Sequence, residues 1–239
     1  MSVRSGRGGF TLLELVISLT VVGGLLVLLL PALTSARTSS HRALCMGNQR
    51  LLNHAWENYL QSNDERFPVL LVQPSWRYGG TRFSPLDGAP FLDYNRPLNR
   101  YLPLHRLAGS GEILYECPAD RGITDAQGRI GTGRRSAFEA FGTSYRANSQ
   151  LLAGHAGRGL RRDRITTSAS RLVLMGDPVW FEVRENTGRI ASWHGVLNAG
   201  NMLFLDGSVR FVTIAPKPKV GAAVFDPLAP ELAFPPGGN

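Results

Sequence analysis

Cysteine is nearly missing from this chain: Cys45 and Cys117 are the two in 239 residues. So few exclude the disulfide-dense scaffold of a small secreted domain. They also carry no zinc signature, because two cysteines and five scattered histidines lack close ligand pairs. Lysine is nearly absent too, so the formal charge of +8 rests almost wholly on arginine. No internal repeat is present. There is no P-loop, no Gly-x-Ser-x-Gly elbow and no dinucleotide fingerprint in a strand–helix context. An enzyme is therefore not expected. Nor is there a run of basic residues interleaved with aromatics. The densest patches, Arg134-Arg135 and Arg158 to Arg162, read as solvated loops.

What the chain does have is one long apolar run. Residues 5–33 read SGRGGFTLLELVISLTVVGGLLVLLLPAL. A short basic leader with Arg4 and Arg7 ends in Gly8-Gly9. Then follow Phe10 and a stretch whose only charge is Glu14, with Pro31 near its end. The 24 residues from Phe10 to Leu33 are enough to cross a hydrocarbon core of ~30 Å at ~1.5 Å per residue. A carboxylate at the centre of a bilayer costs about 2.5 kcal/mol or more, so Glu14 needs a reason to be there. Basic residues flank both ends (Arg4 and Arg7; Arg37 and Arg42), so the positive-inside rule does not orient the segment.

Taken together, Gly9, Phe10, Glu14 and Pro31 stand at the spacings of a prepilin N-terminus. The segment resembles that of type IV pilin and type II secretion pseudopilin precursors. The resemblance implies cleavage after Gly9 by a prepilin peptidase and N-methylation of the new Phe10 amine. It also implies that Glu14 neutralises that amine on a neighbouring subunit. The implied partners are the peptidase, other pilins or pseudopilins, and an inner-membrane secretion or pilus assembly platform. The implied location is the cytoplasmic membrane, single-pass, with the N-terminus cytoplasmic and the head outside or on a cell-surface filament. Two simpler readings compete. An ordinary signal peptide cut near Thr34-Ser35-Ala36 leaves the length of the run and Glu14 unexplained. A plain anchor leaves Gly9-Phe10 and Glu14 unexplained. Gly23-Gly24 suit either close helix approach in a filament or lipid contact.

Beyond Pro31 few residues break a helix. Leu44, Leu51, Ala55 and Tyr59 recur at near-helical spacing, and Leu52, Trp56 and Leu60 widen the stripe. Arg42, Asn48, Gln49, Asn53 and Glu57 fall mostly between them, and Ser62-Asn63-Asp64 should end the helix. Gly 27 and Pro 15 indicate a loop-rich remainder. Glu112 to Cys117 alternates as a strand would, and Leu172 to Met175 reads as a buried strand, with Val179 to Val183 continuing or pairing with it. Asn201 to Thr213 places β-rich runs on both sides of Asp206-Gly207, the pattern of a hairpin with a type I′ turn. The expected organisation is a leader (1–9), a transmembrane and assembly helix (10–33), its amphipathic continuation (34–62), a globular head (63–213) and a Pro-rich, flexible tail (214–239). The fold class is α+β and pilin-like: a long N-terminal helix packed on a small antiparallel sheet in a loop-rich head.

The head resembles one prepilin-like family common in planctomycetes and related bacteria. The matching residues are Cys45 to Gln49, Asp64-Glu65-Arg66-Phe67-Pro68, Cys117-Pro118-Ala119-Asp120, Ser144 to Asn148, and His194 through Asp206-Gly207. Eleven residues separate His194 from Asp206, where the family has nine. The resemblance implies a membrane-anchored subunit and no reaction. His194 and Asp206 offer either a ligand or acid/base pair, or a packed histidine beside a turn aspartate. Asp120, Asp177 and Asp206 are the carboxylates available for calcium, which some pseudopilins hold. Cys45 and Cys117 offer a disulfide, since an exported head meets an oxidising compartment, or two separate buried thiols. Removing Arg4 and Arg7 with the leader lowers the charge from +8 to +6. That basic balance supports the alternative function, a minor pilin binding DNA or an acidic surface polymer.

Overall fold

The computed structural model describes residues 11–84, 86, 88–102, 113–122, 136–152, 154, 157–179 and 193–213. Readings placed on the leader, Gly9, Phe10, Arg134-Arg135, Trp180 to Val183 and the Pro-rich tail lie outside these residues. The chain divides by compactness into residues 1–40 and 41–239.

Helix α1 runs Leu12–Ser62. Its start is a capping box: the Glu14 amide donates to Thr11 Oγ1 (3.3 Å) and the Thr11 amide donates to Glu14 Oε2 (2.9 Å). Glu14 therefore has a local role that the apolar pattern did not suggest. In the first unit the leucines and valines from Leu12 to Leu33 are exposed, and Gly23 and Gly24 face open space. The segment is long and apolar enough to cross a membrane, with a mean hydropathy of 2.5 and none of it buried. Its hydroxyls bond to the helix itself: Ser18 to the Leu15 carbonyl, Thr20 to Val16 and Thr34 to Pro31. They need no outside partner in an apolar medium. Pro31 lies inside the helix without ending it.

In the second unit α1 buries Cys45, Gln49, Leu52, Ala55, Trp56 and Leu60. Spacings of three and four put these on one stripe. Leu52, Ala55, Trp56 and Leu60 of the expected stripe are buried, but Leu44 and Leu51 are 53% and 37% exposed, and Gln49, which falls between the apolar positions in sequence, is fully buried. The helix ends at Ser62.

The head holds two antiparallel sheets. One pairs β1 (Thr81–Phe83) with β2 (Pro90–Leu92). The other has the order β3 (Arg146–Ala147), β4 (Val173–Gly176), β5 (Ala199–Phe204), β6 (Val209–Thr213). Short helices α2 (Ala137–Phe141) and α3 (Ser149–Leu152) flank β3. Every residue of β4 and β5 is buried. The buried stripe of α1 packs on this sheet, with the Trp56 indole N–H donating to Met175 Sδ (3.3 Å) and its ring stacked on Tyr78. Burying aromatics and leucines at about 25 cal/mol per Å² is the main stabilising contribution to such a core. The layout is α+β, with a long N-terminal helix on a small antiparallel sheet, compatible with a pilin-like fold.

Two local readings need correction. Ile113–Tyr115 is a 3₁₀ turn instead of a strand. Leu114 and Tyr115 are both buried, the Tyr115 hydroxyl donates to Asn99 Oδ1 (2.7 Å), and the Glu116 amide donates to the Ile113 carbonyl (3.1 Å), the three-residue bond of a 3₁₀ turn. The β5–β6 connection carries one left-handed residue, not the two of a type I′ turn: Gly207 has φ +81°, while Asp206 keeps a negative φ. Gly207 N–H donates to the Phe204 carbonyl and Phe204 N–H to that of Ser208, a turn followed by a glycine bulge. The Asp206 carboxylate secures the turn by accepting from the Ser208 amide (2.9 Å) and hydroxyl (2.6 Å).

Candidate functional site

Four polar residues meet beneath α1 where β4 and β5 end and begin. Asp177 follows β4, Asn201 lies within β5, His194 precedes β5, and Gln49 comes from the helix. Their exposures are 1%, 0%, 2% and 0%. Asp177 Oδ2 accepts from the Asn201 amide (2.7 Å) and lies 3.1 Å from His194 Nε2. Gln49 Nε2 donates to Asp177 Oδ1 (3.3 Å) and to the Asn201 carbonyl (3.2 Å). Asn201 Nδ2 lies 3.2 Å from His194 Nε2 and donates to the Arg42 carbonyl (3.4 Å). The Phe211 ring meets the His194 ring edge-on, and the Arg42 guanidinium lies 4.6 Å above the Phe211 ring centre. The close approach depends on glycine: a Cβ on Gly200 would sit 2.5 Å from Val179 Cγ1 and 3.0 Å from Asp177 Cβ.

A disulfide borders this cluster. Cys45 of α1 and Cys117 are joined, with Cα atoms 5.2 Å apart, and Cys117 Sγ lies 3.7 Å from His194 Nε2. Asn48, beside the bond on α1, donates to the carbonyls of Ile113 (3.3 Å) and Glu116 (3.0 Å) and holds the segment that carries Cys117. Three buried atoms, Gln49 Oε1, His194 Nδ1 and Asn201 Oδ1, have no hydrogen-bond partner among the described residues. Leaving a buried polar atom unpaired costs about 1–3 kcal/mol.

His194 and Asp206 do not form a pair. The acid beside His194 is Asp177, and Asp206 serves its turn. Asp120, Asp177 and Asp206 do not converge as a calcium set, since each is held by its own donors. Asp120 receives the amides of Gly122, Ala137 and Phe138 and the Ser144 hydroxyl, at 2.6–2.9 Å. It joins two matched motifs, Cys117 to Asp120 and Ser144 to Asn148, and it holds the start of α2. Burial raises its carboxyl above the ordinary aspartate range, against the pull of those four donors. Among the described residues, Cys45, Cys117 and His194 bring ligand-type atoms within 4.8 Å of one another, with the two sulfurs tied in the disulfide. These side chains come from distant segments, so no sequence spacing joins them.

The densest basic patch is engaged in the fold. Arg162 pairs with Glu57 (2.7 Å) and Glu65 (3.1 Å), and Arg161 with Asp163 (3.0 Å). Arg162 and Glu57 also line a surface groove of about 560 Å³ with Asn53, Ile165 and Asp206. Sequence reasoning missed Gln49 and Asn201. A polar residue four places after Cys45 and three before Leu52 was the available sign for Gln49. No protein-family model, no curated protein and no solved structure matches this chain.

Proposed function

We propose that the chain is a prepilin-like structural subunit. It is cut after Gly9 by a prepilin peptidase, N-methylated at Phe10 and held in the cytoplasmic membrane with its head outside. It then joins other pilins or pseudopilins, through its N-terminal helix and an inner-membrane platform, in a type II secretion pseudopilus or pilus-like filament. The observation that carries this reading is the division of labour within α1. The apolar half from Leu12 to Leu33 is exposed all round, while the half from Cys45 to Leu60 is fastened into the head. An uncovered apolar surface of that size needs lipid or neighbouring helices. Glu14 supplies the one carboxylate that a neighbour's Phe10 ammonium would meet, and an unpaired charge in an apolar bundle would be costly.

The test is the N-terminal residue and intact mass of the protein taken from native membranes. A chain that begins at Phe10 and is one methyl group heavier than its sequence is the expected result. A start at Arg37 would make the segment an ordinary signal peptide, and a start at Met1 or Ser2 would make it a plain anchor. Either would refute the proposal.

A further inference from the structure

We propose that the disulfide cluster is a redox-gated zinc site: with Cys45 and Cys117 reduced, the two thiolates, His194 and Asp177 bind one zinc ion. Zinc in a tetrahedral site sits about 2.3 Å from sulfur and about 2.0–2.1 Å from nitrogen or oxygen. Those lengths place neighbouring S and N ligands about 3.6 Å apart and neighbouring N and O ligands about 3.3 Å apart. His194 Nε2 lies 3.7 Å from Cys117 Sγ and 3.1 Å from Asp177 Oδ2, close to both edges. The ligand atoms of Cys45, Cys117 and His194 already lie within 4.8 Å of one another; Asp177 meets only His194 among them and stands outside that group, so its carboxylate must turn toward the sulfurs to close the fourth position. Opening the disulfide frees the sulfurs to separate to the roughly 3.8 Å of a two-thiolate edge. All four side chains are at most 2% exposed. The Asn201 amide and Gln49 Nε2 already donate to the Asp177 carboxylate, which supplies the outer support that such ligands need.

The steps balance. A dithiol reductant gives two electrons and two protons to the Cys45–Cys117 bond and becomes a disulfide itself. Zinc then displaces the two thiol protons as two Zn–S bonds form. A disulfide oxidant, itself reduced to a dithiol as it takes the two electrons, reverses this and expels the ion, because a disulfide offers no thiolate. The newly made, still reduced chain is thus ordered by zinc, and the oxidised chain by its covalent bond. The Cys45 and Cys117 segments are joined in each state.

The experiment uses the full chain in detergent, once oxidised and once reduced with dithiothreitol that is then removed anaerobically. Each is titrated with zinc against a chromophoric chelator, and separately with cobalt. The expected result is one zinc per reduced chain and none per oxidised chain, with a sulfur-to-cobalt charge-transfer band and a tetrahedral visible spectrum. Loss of an outer partner alone costs about 10–100-fold in metal affinity, so His194→Ala should weaken zinc binding by at least about 100-fold. Zinc uptake that is equal in both states overturns the proposal. So does a reduced chain that binds none, whether folded or unfolded, an octahedral cobalt spectrum, or unchanged affinity in His194→Ala. The oxidised-versus-reduced comparison needs no variant, so a misfolded mutant does not blunt the test.

Discussion

Cutting the bond between Cys45 and Cys117 should cost the head about 4 kcal/mol. The two residues are 72 apart in sequence. A loop of that length removes about 15 cal/mol/K from the unfolded chain in the chain-entropy treatment, or about 4.4 kcal/mol at 25 °C. The double variant Cys45→Ala/Cys117→Ala tests this without burying hydroxyls at two sites that are at most 1% exposed. For a domain of this size a loss of 1 kcal/mol lowers Tm by roughly 2–4 °C, so the fall should be about 9–18 °C. Urea unfolding in detergent, followed by tryptophan fluorescence, is the suitable assay. Trp56, Trp76 and Trp193 are all buried in the head, and the apolar stretch from Leu12 to Leu33 holds no tryptophan. Because the effect lies in the unfolded ensemble, the slope against urea should rise as that ensemble expands. Thiol titration of the unaltered protein should first find no free cysteine. A loss under about 1 kcal/mol with an unchanged slope would refute the reasoning, since the unfolded chain would not be feeling the tether.

Two further outcomes follow from particular contacts. Thr11→Ala breaks the capping box and should cost about 0.5–2 kcal/mol at the start of α1, while Glu14→Gln preserves the box and removes only the charge. If the charge serves assembly, the glutamine variant should lose sheared filaments and the alanine variant should keep most of them; the opposite order sinks that role for Glu14. Burial pushes the hydroxyls of Tyr78, Tyr115 and Tyr145 well above the ordinary tyrosine range. The folded head therefore keeps protons that the unfolded chain releases above pH ~10, so stability is unaffected below that pH and falls as pH rises past it. With three such groups the slope approaches about 4 kcal/mol per pH unit, and flat unfolding midpoints from about pH 9 to 11 would contradict it.

The elements visible from sequence are those with a local cause. Two β-rich runs around Asp206-Gly207 make a hairpin whatever lies nearby, and an apolar run followed by an amphipathic one makes a helix. The face of that helix is less visible. The stripes through Leu44–Leu51 and through Cys45–Gln49–Leu52 lie one residue apart, and the choice between them is made by a disulfide partner 72 residues away and by buried hydrogen bonds from Gln49. Ile113–Tyr115 departs from its sequence pattern for a similar reason, because alternation in a short segment is weaker than a tyrosine hydroxyl seeking Asn99. The cluster itself is not legible. Asp177 and His194 are brought together by strand pairing, and no spacing among Cys45, Cys117, Asp177 and His194 encodes that.

Cys45 is the first buried residue along α1. Tension entering the head along α1 meets the Asn201 bond to the Arg42 carbonyl and the Arg42–Phe211 contact first, and the covalent bond within one turn of them. Gln49 and Trp56, which fasten the helix to Asp177, Asn201 and Met175, lie about one and about three turns further on. Pulled in its oxidised state, the chain would pass load through sulfur to the segment around Cys117 before it reaches the contacts that Gln49 and Trp56 make with the sheet. Reduced and without metal, the same pull would peel α1 from the sheet turn by turn.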